Sequence, residues 1–354
     1  MSDPPYPLAP ATATVSLGNP NGHPIQSILQ AASNAGLKGI EICYNNLLNH
    51  ATHLSSLNAD AVEQKHLVQS AEDIKRMCDE FGLTIIVLQP FAFYDGLVDS
   101  EMHRQMVAKF GRWIELAHAL GCDIIQMPSN FQQDGTTGDT DRIVSDLQEI
   151  ADIALNSEPV VRIAYEAVAW GTHVDLWEQS WEIVKQVRRA NVGLCLDTFH
   201  IAGKVWADPT SPSGKRANGD KELAASLSRL ARTVDVGKVF YVQLSDAEKL
   251  DPPLIEGHEF YNAEQPPHMS WSRTARLFPF EEDEGGYMPI KGIAKAIVNH
   301  LGYRGWISME IFSWKLLEAD EKVPEIFAKR AMKSYQSMRK ALCWDVLEAG
   351  GECG

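Results

Sequence analysis

Four successive apolar runs from Ala164 onward end on or carry oxygen-bearing side chains near their ends. They read Ala164-Tyr165-Glu166, Cys195-Leu196-Asp197, Val242-Gln243-Leu244 and Ser308-Met309-Glu310. An acid after a strand often caps the next helix, and Asp197 before Thr198-Phe199-His200 suits that role. Any one of the four is explained this way. Four in a row point instead to a shared site. Three carboxylates brought together repel one another unless a cation lies between them. Carboxylate and amide oxygens favour a hard divalent ion such as Mg²⁺ or Mn²⁺. Asp197 is then a ligand, and His200 sits one turn further on. Its spacing fits a packed core histidine as well as one facing the same cavity.

These side chains need elements to bring them together. Short apolar runs predict strands at Thr12–Leu17, Gly39–Cys43, Leu83–Gln89, Asp123–Met127, Val160–Glu166, Val192–Asp197, Val239–Leu244 and Trp306–Ile311. Amphipathic segments between them, such as Val62–Phe81 and Met102–Leu120, predict helices. The junctions Ala35-Gly36-Leu37, Phe81-Gly82-Leu83, Leu120-Gly121-Cys122 and Leu301-Gly302-Tyr303 repeat a helix–glycine–strand pattern, in which glycine caps the helix. Eight strands alternating with helices predict an α/β fold, a (β/α)8 TIM barrel forming one domain over residues 1–354, with residues 1–10 and 345–354 as flexible tails. A doubly wound sheet would carry a G-x-G-x-x-G turn after an early strand, and none is present. Barrel active sites lie at the C-terminal ends of the strands, where the four oxygen ligands fall.

The stretch from Ser245 to Pro289 shows little regular pattern and is far longer than an ordinary connection. It includes EGHEFYNAEQPPHMSWSRTARLFPF, with Arg273 and Arg276 among aromatics and acids. This predicts an ordered lid over residues 245–289, after strand seven, that supplies cationic groups to an anionic substrate. A surface loop packed on its own aromatics is the plainer alternative.

Composition narrows the partners. The 354 residues are 45% hydrophobic and 22% charged, and the net charge is −15. Such a surface repels nucleic acid and acidic membranes, while a small anion can still meet a locally positive site. The six cysteines form no C-x-x-C pair, and Cys43, Cys122 and Cys195 lie in apolar runs, as reduced core thiols do. The N-terminal MSDPPYPLAP lacks the basic and apolar regions of a signal peptide, and no run is long enough to span a membrane. A cytoplasmic protein is expected. Self-association into a homo-oligomer is left open.

Several stretches together resemble the fungal 3-dehydroshikimate dehydratases of quinate catabolism, within the xylose-isomerase-like barrel superfamily. They are AYEAVAWGTH (Ala164–His173), LCLDTFHIAG (Leu194–Gly203), YVQLSDAEKL (Tyr241–Leu250), EGHEF (Glu256–Phe260) and MSWSRTARLFP (Met269–Pro279). SLGNPNGH, GIEI, QPF and PSNF nearer the N-terminus extend the resemblance over nearly the whole chain. It implies a carbon–oxygen lyase that converts 3-dehydroshikimate, an anionic cyclic keto acid, to protocatechuate with one divalent metal ion, Mg²⁺, Mn²⁺ or Co²⁺. On matching positions, Glu166, Asp197, Gln243 and Glu310 are implied as metal ligands, with Glu166 and Glu310 also acting in catalysis. His200 is the candidate general base. Ser272 and Arg276 are implied to hold the substrate carboxylate. His23, Glu41 and Gln89 line the pocket, with Glu41 or His23 as a second proton-transfer group.

The chain departs from the wider pattern at Gln243, where many relatives carry histidine, and at Tyr44-Asn45-Asn46, where acids are expected. An amide oxygen binds more weakly than imidazole and favours Mg²⁺ or Mn²⁺ over Zn²⁺. A metal-dependent sugar isomerase or epimerase is the main rival, with Glu166 and Glu310 as its acid/base pair, although neutral sugars need no arginine clamp. A zinc endonuclease would want more histidine ligands and a basic groove. A non-catalytic binding protein would have little use for intact ligands.

Overall fold

The computed structural model describes residues 3–348 and 351. Seven strands in succession are β1 (Pro10–Ala13), β2 (Gly39–Cys43), β3 (Thr84–Gln89), β4 (Ile124–Pro128), β5 (Arg162–Glu166), β6 (Val192–Asp197) and β7 (Val239–Leu244). The two-residue strands β8 (Asp246–Ala247) and β9 (Arg276–Leu277) follow, and then β10 (Ile307–Met309). β10 pairs in parallel with β7 and with β1, which closes an eight-stranded barrel. Helices wrap the outside. Gly36, Gly82, Gly121 and Gly302 follow helical segments with φ of 95°, 67°, 67° and 86°, the left-handed cap that the repeated junction predicts.

Alternation along each strand decides which residues enter the barrel. On β5 the inward positions include Ala164 and Glu166, on β6 Cys195 and Asp197, on β7 Tyr241 and Gln243. The outward Tyr165, Leu194, Leu196 and Val242 join the large core between strands and helices. A second, small cluster of Ala9, Ala11, Val87, Ala164, Tyr241 and Trp306, with a few neighbours, fills the barrel interior. Trp306 plugs the floor. A Cβ on Gly39 would stand 2.8 Å from its ring and 2.9 Å from Ala11, so only glycine fits beside it. Polar inward side chains stack above this apolar floor. Parallel register sets Asp197 opposite Gln243 and Gln243 opposite Ser308, so three neighbouring strands offer polar groups at one level.

Some boundaries differ from expectation. The first strand starts at Pro10 and ends at Ala13, because Thr14–Ser16 coil into a 3-10 turn. The Thr14 hydroxyl donates to Asn46 Oδ1 and the Ser16 hydroxyl to the Ile311 carbonyl. The expected N-terminal tail is also shorter. Leu8 and Ala9 are fully buried, and the Tyr335 hydroxyl donates to the Leu8 carbonyl. At the other end Trp344–Glu348 is helical, with Trp344 fully buried against Tyr335. The rest of the expected C-terminal tail, apart from Gly351, lies outside the described residues, as do residues 1–2.

The stretch from 245 to 289 is more regular than its sequence suggests. β8 and β9 pair antiparallel, a helix runs over Pro267–Thr274, and a 3-10 turn over Glu282–Glu284. Trp271 anchors it. This side chain is fully buried, packs on Phe199 at 5.0 Å, and its indole donates to the Glu248 carbonyl. Cys43, Cys78, Cys122 and Cys195 are free and buried. Cys343 is disulfide-bonded, against the reducing, cytoplasmic setting expected from the sequence. Among the described residues no helix is long and apolar enough to cross a membrane.

Candidate active site

A cavity of about 580 Å³ opens at the C-terminal rim of the barrel. Its polar wall includes Gln89, Gln126, Glu166, His200, Arg276 and Glu310, and Phe131, Trp170 and Phe312 supply aromatic faces. Glu166 ends β5. Asp197 ends β6, and its Oδ1 accepts the Phe199 amide at 2.7 Å. The capping role suggested for Asp197 is therefore real, and it leaves Oδ2 for the site. Oδ2 accepts a 2.7 Å hydrogen bond from Arg276 Nη1, which also reaches Glu310 Oε2 at 3.2 Å. Glu310 stands one residue past the end of β10.

Arg276 is the hub of this rim. It is 1% exposed, and its guanidinium lies between the rings of Phe199 (4.2 Å) and Phe312 (5.3 Å). Its Nε donates to the Ser272 hydroxyl at 2.9 Å, and Nη2 stands 3.1 Å from His200 Nε2. β9 places it here, and the Pro267–Thr274 helix places Ser272 one turn earlier. His200 lies in the first turn of the helix Thr198–Val205. Its Nδ1 accepts the Ala169 amide at 3.0 Å. A neutral imidazole has one lone pair to offer, so only one of the Ala169 and Arg276 donors is satisfied at a time.

Four buried acids crowd this end of the barrel. Burial pushes each carboxyl up. Glu166 rises well above the usual range, helped by Asp197 and Glu310 beside it. Glu310 is pushed to about 7 and Asp197 also rises, both by burial and both held back in part by Arg276. Glu41, below them, is pushed to about 8 by burial and by Glu310. Burial, then Arg276, then His268 hold the His200 imidazole well below its ordinary value, and therefore neutral.

One guanidinium does not neutralise four carboxylates. Glu166, Asp197 and His200 each offer a ligand atom within 4.8 Å of the others. Glu310 shares the Arg276 guanidinium with Asp197, and Gln243 stands opposite Asp197 in register, so both bring further oxygens to this end. Hard oxygens crowded and buried until their carboxyls are pushed toward the neutral form are the donor set a divalent cation fits, since the ion would offset the repulsion.

The structure brings Glu166, Asp197, Gln243, Glu310, His200, Ser272, Arg276 and Gln89 together. It does not bring His23 to the cavity. The 3-10 turn and the following loop carry it off the rim, where its Nδ1 accepts the Asn19 amide and its Nε2 faces the Asp320 carbonyl at 3.1 Å. Glu41 is fully buried but lies beneath the cavity rather than on its wall. Three further contributors went unnoticed in the sequence. Gln126 donates to Glu166 Oε2 at 2.5 Å, and its own Oε1 is buried without a partner. Cys195 faces Gln243 Oε1 at 3.4 Å. Trp170 packs edge-on to His200 at 4.9 Å, with an unpartnered indole nitrogen. Gln126 carried a signal, a polar inward residue near the end of the run IIQMP, like those on β5 to β7.

The closed parallel barrel with a polar rim defines the class. The family model described as xylose isomerase-like TIM barrel matches residues 29–333, and the chain belongs to this family. A 3-dehydroshikimate dehydratase of Neurospora crassa is 45% identical over 334 residues, 93% of this chain and 92% of the relative. A 3-dehydroshikimate dehydratase of Pseudomonas aeruginosa is 30% identical over 301 residues, and this chain spans only 37% of its length. Among solved structures, a fusion of a xylose isomerase-like TIM barrel with a 4-hydroxyphenylpyruvate dioxygenase superposes with a TM-score of 0.72 at 26% identity. That match covers 98% of this chain and 45% of the other.

Proposed function

We propose that this protein is a 3-dehydroshikimate dehydratase, a hydro-lyase that forms protocatechuate. The full-length similarity to the Neurospora crassa enzyme supports the reaction. The observation in the structure that carries the reading is the meeting of two rim carboxylates, Asp197 and Glu310, with the buried arginine, Arg276, beside a cavity sized for a small ligand. Glu166, Asp197, Gln243 and Glu310 would hold one divalent ion, with Mg²⁺, Mn²⁺ and Co²⁺ as the hard-ligand candidates. When bound, the ion would polarise the substrate ketone or its neighbouring hydroxyl and so ease loss of the adjacent proton.

The remaining work falls to side chains. Ser272 accepts from Arg276 Nε, and among the described residues its own hydroxyl hydrogen has no acceptor and Arg276 Nη2 hydrogen-bonds only the imidazole. These two groups are the proposed clamp for the substrate carboxylate. With the Arg276 contact kept, His200 Nε2 carries the lone pair, and once the substrate carboxylate draws Nη2 away that lone pair is open to take the α proton. With the Ala169 contact kept, Nε2 carries the proton instead and donates toward Asp197 or Glu166. Proton abstraction uses the first arrangement. The neutral ring suits either. The aromatic wall of Phe131, Trp170 and Phe312 would stack on a flat product ring and keep water away from the enolate. The stretch 245–289 would act as a lid through Ser272, Arg273 and Arg276. Incubation with 3-dehydroshikimate beside a panel of keto sugars tests the reaction. Turnover of a sugar and not of the keto acid would establish the isomerase reading instead.

A further inference from the structure

Glu41 was expected to touch substrate. Its surroundings assign it another task. It is fully buried on the inward face of β2 and receives only side-chain donors. The Ser308 hydroxyl donates to Oε1. Gln89 Nε2 donates to Oε2 at 2.8 Å, and Gln243 Nε2 lies 3.0 Å from Oε2 and 3.2 Å from Oε1. The other hydrogen of Gln89 Nε2 goes to Glu310 Oε1, also at 2.8 Å. Two of the four proposed metal ligands, Gln243 and Glu310, are therefore tied to Glu41, one directly and one through Gln89.

The chemistry of an amide makes this connection selective. A glutamine side chain presents either an oxygen that binds a hard cation or a nitrogen that does not. The two ends have nearly the same shape, so packing alone does not choose between them. In the structure Gln243 turns its nitrogen down, within hydrogen-bond reach of both Glu41 oxygens. The Ser308 hydroxyl and Gln89 Nε2 also donate to Glu41, so the carboxyl is the shared acceptor of three side chains. The far end agrees, since Gln243 Oε1 stands 3.4 Å from Cys195 Sγ, whose thiol is a donor. The same sulfur lies 3.8 Å from Glu166 Oε1, so the Gln243 oxygen faces the Glu166 side of the site.

We infer that Glu41 is a positioning residue that orients the Gln243 amide oxygen-first toward the metal. It touches neither substrate nor ion. It lets a neutral amide serve at a position where its nitrogen end would be inert. This rests on the metal reading above, and the test separates the two.

The experiment measures Mn²⁺ affinity by titration calorimetry and the visible spectrum of the Co²⁺-loaded protein. It uses the full chain as wild type, as Glu41→Gln, and as the double variant Glu41→Gln with Gln243→Glu. The substitutions keep side-chain volume. The double variant exchanges donor and acceptor across one contact. The wild type is expected to bind one ion. Glu41→Gln is expected to bind at least about tenfold more weakly and to change the Co²⁺ spectrum, as loss of an orienting partner does. The exchanged pair restores a donor facing an acceptor and is expected to recover affinity to within about threefold of wild type. A folded Glu41→Gln with wild-type affinity and spectrum overturns the positioning role. So does an exchanged pair no better than the single variant, and that comparison stands even where the single variant is poorly folded. A wild type that binds no ion removes the metal reading itself.

Discussion

Arg276 and Asp197 lie 79 positions apart in the chain, yet their side chains meet at 2.7 Å with both almost completely buried. The same guanidinium nitrogen touches Glu310. A cation is thus built into the rim between two of the proposed metal ligands, and it is contributed by the stretch proposed as the lid. Carboxylate clamp and metal site are not independent.

Removing that cation should expose this coupling. Arg276→Ala leaves Asp197 and Glu310 facing each other, and breaking a buried ion pair costs about 3–5 kcal/mol. The variant should melt well below wild type in chelator. Added Mn²⁺ should raise its melting temperature by more than it raises that of the wild type. Its KM for 3-dehydroshikimate should also increase. Equal Mn²⁺ shifts in both proteins would show that arginine and ion do not share the two carboxylates.

His200 is the proposed proton-transfer group, although its ring also lies within reach of the ligand cluster. His200→Ala should lower kcat by about 10²–10⁴-fold while keeping one bound Mn²⁺ per chain. Metal content and turnover measured on the same preparation check this. Substantial turnover would move the base elsewhere.

Asp246 gives a pH prediction away from the chemistry. Its Oδ1 accepts the amides of Ala247, Tyr287 and Met288, which ties down both ends of the 245–289 stretch. Burial pushes its carboxyl up to about 7. The folded value exceeds the unfolded one of about 4, so this group's favourable contribution is full below pH 4 and is lost as pH rises through 7. Asp246→Asn keeps an acceptor oxygen and never ionises. It should be more stable than wild type at pH 8, by on the order of 1–3 kcal/mol, with the gain gone at pH 4. Melting curves at both pH values suffice. A variant less stable at pH 8 would mean that the ionised carboxylate is required.

Trp271 is the apolar anchor of the same stretch. Trp271→Ala should cost about 3–5 kcal/mol if the stretch melts with the barrel. If it detaches alone, the melting temperature should hold while limited proteolysis cuts between 255 and 265 and KM rises. Either result identifies Trp271 as an anchor, and an unchanged protein on all three measures would contradict it.

Much of the barrel and rim was legible because burial is expensive for the residues concerned. An apolar strand ending on Glu166 or Asp197 is costly unless the acid is used. Depth in the barrel was not legible. Glu41 sits in GIEIC two residues before its strand ends, and nothing in that run shows that it falls a level below the cavity. His23 was misplaced because a 3-10 turn replaced the end of an expected strand. Gln126 escaped notice because a neutral amide in an apolar run raises no charge conflict. The contacts of Arg276 join segments 34 to 79 positions apart, which no local pattern encodes.

The most direct test is metal-dependent formation of protocatechuate. The purified chain is stripped with chelator and given 3-dehydroshikimate, and product is followed by its ultraviolet absorbance before and after Mg²⁺, Mn²⁺ or Co²⁺ is returned. Absorbance that rises only after an ion is added is the predicted result. Turnover at full rate in the stripped protein would contradict the metal site, and no turnover with any ion would contradict the dehydratase.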